Sequence, residues 1–208
     1  MRVAIVERES PGDVRSLQSE LADTPGWELR IFYSVDRPKG PVAPSPFTYK
    51  KCATFSYTRK VRHADSVQFT DENQVVLPLG LLFDLWRYNP DVIISVEMGF
   101  SSVVSAVYAF LAGKPLVLNH YGTLHSERNI NWKQWALRKS LCRRANAFIG
   151  MGNEVREYLR SLGISDDAIF DARNAVDMIP FMSDVPGQKR PVFREELGIT
   201  GLCYLYVC

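Results

Sequence analysis

Apolar and polar positions fall in blocks along this chain, and the period of the pattern changes from block to block. Residues 2–6 are a short apolar run, the signature of a buried strand. A turn rich in Ser, Pro and Gly follows, with Ser10, Pro11 and Gly12, and Asp13 stands as a helix cap before Val14, Leu17 and Leu21 at helical spacing. Pro25-Gly26 ends that helix, and residues 27–33 predict a second strand. Strand, turn, helix and strand in this order make one βαβ unit, whose crossover is right-handed.

Residues 36–71 break the rhythm. Prolines and glycines cluster between Pro38 and Pro46, and the basic pairs Lys50-Lys51 and Arg59-Lys60 are separated by aromatics. Only residues 53–57 predict a strand here, the third. The rest reads as a long excursion at the mouth of the sheet, either functional or a solvated loop. Leu79, Leu82, Phe83 and Trp86 stand at i, i+3, i+4 and i+7 and predict an amphipathic helix, ended by Asn89-Pro90.

Residues 91–96 are β-branched and continuous, a fourth strand. Residues 101–112 are apolar nearly all round, which predicts a helix buried between neighbours. Residues 115–119 predict the next strand, 128–144 a basic helix with Trp132 and Trp135, and 145–150 another strand. Val155, Tyr158, Leu159 and Leu162 predict a helix closed by Gly163, and 168–172 a last strand. Strands alternating with helical periods define an α/β chain with a Rossmann-like, doubly wound parallel sheet. Residues 183–190 read as a linker, 193–197 as a short helix and 202–207 as an apolar strand. One strand cannot bury itself. The expected division is therefore a domain over 1–182 and a piece over 183–208 that stops at the first strand of a second domain.

Composition narrows the class. Of the 208 residues 46% are apolar and 23% charged, an ordinary soluble globular balance. A net charge of +2 makes no case for a nucleic-acid partner. Cys52, Cys142, Cys203 and Cys208 form no C-x-x-C pair, which argues against zinc and for a reduced, cytoplasmic compartment. The apolar start at 3–6 gives way at once to Glu7-Arg8-Glu9, too short for a secretory leader. The longest apolar tract, 92–113, is interrupted by Glu97, Gly99 and Ser101-Ser102 and falls short of the roughly 18 residues that a span needs.

The chemistry concentrates in residues 115–127. They begin as the strand Pro115-Leu116-Val117-Leu118-Asn119 and end with His120, Tyr121, Gly122, His125 and Glu127. Ligands of open α/β sheets bind just beyond the carboxyl ends of strands, where this cluster lies.

The residues also carry a family likeness. Gly113-Lys114-Pro115-Leu116-Val117-Leu118 with Gly122-Thr123 and Ser126-Glu127 resembles the N-terminal domain of family four retaining glycosyltransferases, which have the GT-B fold. Arg143-Arg144-Ala145-Asn146-Ala147-Phe148-Ile149 is similar to that family's R-x-A-D-A-F-I segment, and Asn174-Ala175-Val176-Asp177 resembles its run into the interdomain linker. Arg194-Glu195-Glu196-Leu197-Gly198-Ile199 looks like the start of the second domain. The resemblance spans most of the chain outside 36–75. It implies two Rossmann-like domains facing across a cleft: an N-terminal one that binds the acceptor, and a second that holds the nucleotide-sugar donor and the E-x7-E carboxylates. It implies a sugar transfer with retention, with neither cofactor nor metal, to a glycan or a lipid-linked acceptor.

With the sheet order of that family, the crevice is lined by loops 8–13, 97–101 and 119–127. The candidate substrate-binding residues are then Pro11, Gly12, Glu97, Gly99, Tyr121, Gly122, His125 and Glu127, with His120 as the candidate catalytic residue. Pro11-Gly12 would let backbone N–H groups approach a phosphate; the other reading is an ordinary strand-to-helix turn. Glu97 either faces the crevice or caps the next helix. His120 would hydrogen-bond the donor sugar or the leaving phosphate; the other reading is a plain hydrogen-bonded histidine. Glu127 in the first turn of a helix is also explained by the helix dipole. Trp132, Trp135, Arg138, Lys139 and Arg143 would suit a peripheral membrane contact at the inner face, or form a solvated helix face. Two other functions share these features: a GT-B sugar epimerase and a stand-alone, non-catalytic glycan-binding module.

Overall fold

In the computed structural model of the chain, the described residues are 1–9, 21–36, 48–62, 70–172, 194–196, 198 and 200, without the side chains of 59–62 and 70–73. The chain divides into two units, Met1–Asn174 and Ala175–Cys208. Of the second unit, the described part is a helical turn at 194–196, followed by Gly198, whose N–H donates to the Glu195 carbonyl. The expected strand at 202–207, the linker at 183–190 and Asn174 to Asp177 lie outside the described residues, as do Pro11, Gly12 and most of the first helix.

The first unit is built on β1 (Arg2–Glu9), β2 (Glu28–Val35), β3 (Thr48–Lys51), β6 (Val92–Val96), β7 (Leu116–His120), β8 (Ala147–Gly150) and β9 (Ile169–Asp171). They form one sheet in the order β3-β2-β1-β6-β7-β8-β9, and every pairing in it is parallel. Successive strands step one way from β1 to β3 and the other way from β6 to β9. The order therefore turns back between β1 and β6. Four helices are described in full: α1 (Leu81–Tyr88), α2 (Phe100–Ala112), α3 (Trp132–Arg144) and α4 (Gly152–Ser161). All four pack on one face of the sheet, where Leu81, Leu85, Tyr108, Leu141 and Leu159 join Ala4, Val6, Ile93, Leu116 and Leu118 in one core. A smaller core on the other face joins Val3, Ile5, Leu29 and Ile31 to Leu21, Ala22 and Trp27. Each fully buried Val, Leu or Ile among them contributes about 1.5–3 kcal/mol.

Several elements differ from expectation, each for a physical reason. The third strand of the main sheet is 48–51, not 53–57. Residues 53–57 lead instead into β4 (Phe55–Arg62), which pairs antiparallel with β5 (Thr70–Leu77) in a separate two-stranded sheet. The alternation of Phe55, Tyr57 and Val61 with polar residues suits such a hairpin better than a buried parallel strand. On α1 the stripe Leu79, Leu82, Phe83 and Trp86 faces outward, and Leu81, Leu85 and Tyr88 face the core. Both sides of this helix are apolar, so periodicity alone could not choose between them. The tight junction to β6 chooses: Asn89 adopts the left-handed conformation with φ 50°, and its N–H donates to the Leu85 carbonyl. Tyr88 then reaches under the sheet, its hydroxyl donating to the Glu28 carbonyl at 2.6 Å. The helix α2, expected to be buried all round, has one open side carrying Val107, Phe110 and Leu111.

The basic helix begins at Trp132 rather than at Arg128. Asn131 caps it: its side chain accepts the Gln134 N–H at 2.9 Å, and the Gln134 side chain accepts the Asn131 N–H at 2.9 Å. This reciprocal pair defines a helix start. Residues 124–129 are a run of turns instead, held at Thr123 and Ser126, where each residue's N–H donates to the other's hydroxyl oxygen.

Candidate functional site

Two loops of the crevice fall within the described residues, those after β6 and β7, together with the carboxyl end of β1. The loop after β6 opens with Glu97, whose φ of 66° is left-handed, a conformation that a residue with a side chain adopts at a cost of order 1 kcal/mol. Its backbone is held on both sides: the Glu97 N–H donates to the Asn119 carbonyl at 2.8 Å, and the buried Ser102 hydroxyl donates to the Glu97 carbonyl. The residue at the N-cap of α2 is Gly99, with no side-chain capping bond. Of the two readings of Glu97, the carboxylate does not cap α2; it is exposed at the sheet end.

The loop after β7 carries Tyr121. Its hydroxyl accepts from the Asn119 side-chain amide at 3.0 Å. Burial pushes the Tyr121 phenol up, the Asn119 amide works against that, and the carboxylates of Glu7 and Glu97 push it up further. β1, β6 and β7 are neighbouring strands, so Glu7, Glu97 and Tyr121 stand at adjacent strand ends, beside the place where the strand order turns back. Glu7 and Asn119 were not in the sequence-based set. The local sequence around Glu7 predicts a turn, whereas pairing with β2, Glu7 to Tyr33 and Glu9 to Val35, extends β1 through it. Gly99 and His125 are exposed on the flanking loops.

His120, Gly122 and Glu127 form a second, interior group. His120 is the last residue of β7 and only 5% exposed. Its ring lies 5.3 Å from that of Tyr158 on α4, and neither ring nitrogen has a hydrogen-bond partner among the described residues. Burial, and then the charge of Arg138, lowers its pKa from 6.5 to about 4. Arg138 is the pivot of this group. It pairs through Nη1 with Glu127 Oε2, and donates to the Tyr158 hydroxyl at 2.9 Å. Both side chains of the ion pair are 15% exposed. Arg138 is therefore turned into the domain, and this position is corrected from the membrane-facing set; Trp132, Trp135 and Arg143 remain on the surface. Spacing along α3 could not show this, because apolar and charged residues alternate around the helix without a single apolar stripe, and the place of Arg138 is visible only once α4 is placed.

Gly122 joins the two groups. A Cβ there would lie 2.5 Å from His120 Nε2 and 2.8 Å from Glu127 Oε1. Neither neighbour yields freely, since the imidazole is buried against Tyr158 and the carboxylate is tied to Arg138. Gly122→Ala is expected to destabilise the chain by about 1–3 kcal/mol and to shift the imidazole resonances of His120; an unchanged melting curve and spectrum would contradict this packing.

The buried thiols take no part in the site. Burial pushes Cys52 and Cys142 up to about 12, so both stay protonated. Among the described residues, no group of three or more His, Cys, Asp or Glu is placed to hold a metal ion, and no helix is long and apolar enough to cross a membrane.

This fold and crevice define a class: the Rossmann-like α/β half of a GT-B architecture. Among solved structures, the chain is similar to HepE of Anabaena in complex with UDP-glucose, with a TM-score of 0.61 and 14% identity over 95% of this chain and 50% of that one. It is similar to sucrose-phosphate synthase from Thermosynechococcus elongatus, with a TM-score of 0.61 and 12% identity over 95% and 52%. UDP-GlcNAc 2-epimerase from Methanocaldococcus jannaschii follows with a TM-score of 0.50 and 12% identity over 82% and 45%. The chain thus spans about half the length of these proteins. No family profile and no curated protein matches the sequence.

Proposed function

We propose that this chain is the acceptor-binding half of a glycosyltransferase that moves a sugar, with retention, from a nucleotide-sugar donor to a glycan or a lipid-linked acceptor. The observation that carries this reading is the placement of Glu7, Glu97 and Tyr121 at the adjacent ends of β1, β6 and β7, at the turn-back of the sheet. Carboxylates and a phenol on loops of different strands suit the directed hydrogen bonds by which hydroxyl-rich ligands are distinguished. Binding of UDP-glucose by a protein of this fold supports a nucleotide sugar as donor.

In this reading His120 acts as a neutral imidazole. It gains no proton until about pH 4, so at neutral pH it offers hydrogen bonds to the donor sugar or the leaving phosphate and no positive charge. The Tyr158 ring packs against it, and Arg138, paired with Glu127, donates to the hydroxyl of that tyrosine.

Titration of the chain by NMR with UDP-sugars and, separately, with acceptor glycans and lipid-linked sugars tests the assignment. An acceptor is expected to move the resonances of Glu97 and Tyr121, with little response to nucleotides. Tight nucleotide binding by this chain alone would mean that it is the donor half. In the full-length enzyme, His120→Ala is expected to lower kcat by about 100-fold or more with the fold retained; unchanged turnover would remove His120 from the chemistry.

A further inference from the structure

Two residues at the crevice depart from what their surroundings favour. Glu97 stands in the left-handed conformation with φ 66°, where glycine is at ease. Asn119 brings an amide into an apolar row, since its partners across the strands are Val96 of β6 and Ile149 of β8. Its Oδ1 is buried and accepts no hydrogen bond among the described residues, an unfavourable state for a polar atom out of water. A valine or a leucine would suit the position better. Departures of this kind gather where a site must be held in one geometry.

Asn119 links the two. Its main-chain carbonyl accepts the Glu97 N–H at 2.8 Å and so holds the left-handed turn. Its side chain donates through Nδ2 to the Tyr121 hydroxyl at 3.0 Å. A phenol oxygen that accepts from an amide leaves its own proton for another acceptor. Among the described residues that proton has no acceptor, and Tyr121 is 41% exposed. The Glu97 carboxylate, also exposed, acts on the phenol through its charge. A donor and an acceptor on adjacent strand ends match a hydroxyl group, which accepts one hydrogen bond and donates another.

We propose that Asn119 is a positioning residue that sets the choice of ligand in the crevice: by donating to the Tyr121 oxygen it turns the phenolic proton outward, so that Tyr121 donates to, and Glu97 accepts from, a hydroxyl of a bound sugar. The site then rejects an analogue that lacks this hydroxyl, because the phenol and the carboxylate are left without their partner. The choice of a sugar rests on the sugar-transfer reading; the direction of the Asn119–Tyr121 bond does not.

Two substitutions in the 208-residue chain test it. Asn119→Leu removes the amide and completes the apolar row. Asn119→Asp puts an acceptor in its place and draws the phenolic proton inward. NMR titration of the Tyr121 phenol, assigned with Tyr121→Phe, reads the direction of the bond. The donated amide bond favours the phenolate, against burial and the charges of Glu7 and Glu97. The phenol is therefore expected to titrate at higher pH in both variants, furthest in Asn119→Asp. A lower value in Asn119→Leu would show that the phenol donates to the amide, and overturns the proposal. The melting temperature of Asn119→Leu is expected to match or exceed that of the wild type, since the unpartnered oxygen is gone. A large fall would make Asn119 a structural residue and overturns the proposal as well. Binding is read by NMR with the methyl glycosides of glucose, galactose and mannose and their monodeoxy analogues. Loss of one particular hydroxyl is expected to weaken binding to the wild type about ten-fold, and Asn119→Asp is expected to bind the parent and that analogue alike. Sugar binding whose strength and choice of hydroxyl survive both substitutions overturns this inference and leaves the sugar-transfer reading standing. No response of Tyr121 or Glu97 to any of these sugars overturns both.

Discussion

Arg138→Met is expected to lower the unfolding free energy by about 3–5 kcal/mol, the usual cost of leaving one partner of a buried ion pair without the other. The reason lies in what Arg138 touches. Its guanidinium pairs with Glu127 and donates to the Tyr158 hydroxyl, and so joins the loop after β7, the helix α3 and the helix α4. Without it, the Glu127 carboxylate is left half-enclosed beside a neutral imidazole and must take up a proton or pull the loop open. Two further variants separate charge from shape. Arg138→Met combined with Glu127→Gln should recover most of the loss, because no uncompensated charge then remains. Arg138→Lys should be intermediate, since an ammonium is a point charge and lacks the fork that reaches two acceptors. Urea denaturation measures all three. A loss below about 1 kcal/mol for Arg138→Met, the range of an exposed pair, would show that the pair does not hold the loop.

Stability should also fall as the pH drops from about 6.5 to about 4, by up to ~3 kcal/mol, through His120 alone. The sign follows from the direction of the shift. The unfolded chain protonates this histidine near 6.5, whereas the folded chain resists until about 4 because of burial and then Arg138. Between those values the unfolded state binds more protons, so acid favours unfolding and stability rises with pH. Asp91 and Asp166 are also held below their ordinary value, chiefly by the Arg2 N–H and by Arg160 respectively. Their contribution is lost only as the pH falls through the carboxylate range, beneath this window. Chemical denaturation of wild type and His120→Gln across the window checks the assignment. The variant should give a much flatter profile. An equal slope in both chains would place the acid sensitivity elsewhere.

Much of the sheet was legible in the sequence because a parallel strand covered by helices has a local signature. The runs at 2–6, 91–96 and 115–119 are mostly apolar, with Val and Ile prominent in the first two, and each became a strand of the main sheet within a residue or two at the carboxyl or amino end, apart from the longer β1. The Gly and Pro signals between them set the alternation with helices. The candidate chemistry was legible to the extent that it sits at strand ends: Glu97 and Tyr121 reach one crevice because the order of strands turns back beside β1.

Tertiary structure alone decided which way side chains on two-sided elements point. Leu82, Phe83 and Trp86 have the same spacing as a core stripe, yet Leu81, Leu85 and Tyr88 are buried, because the short turn at Asn89 sets the rotation of α1 before any side chain is counted. Arg138 reads as one more cation on a basic helix, yet it is interior, because α4 brings Tyr158 against it from twenty residues further along the chain. The same packing withdraws Glu127 from the crevice and encloses His120. Periodicity reports how one element is patterned; which pattern meets the core is settled by the neighbours it packs against, and those come from distant parts of the chain.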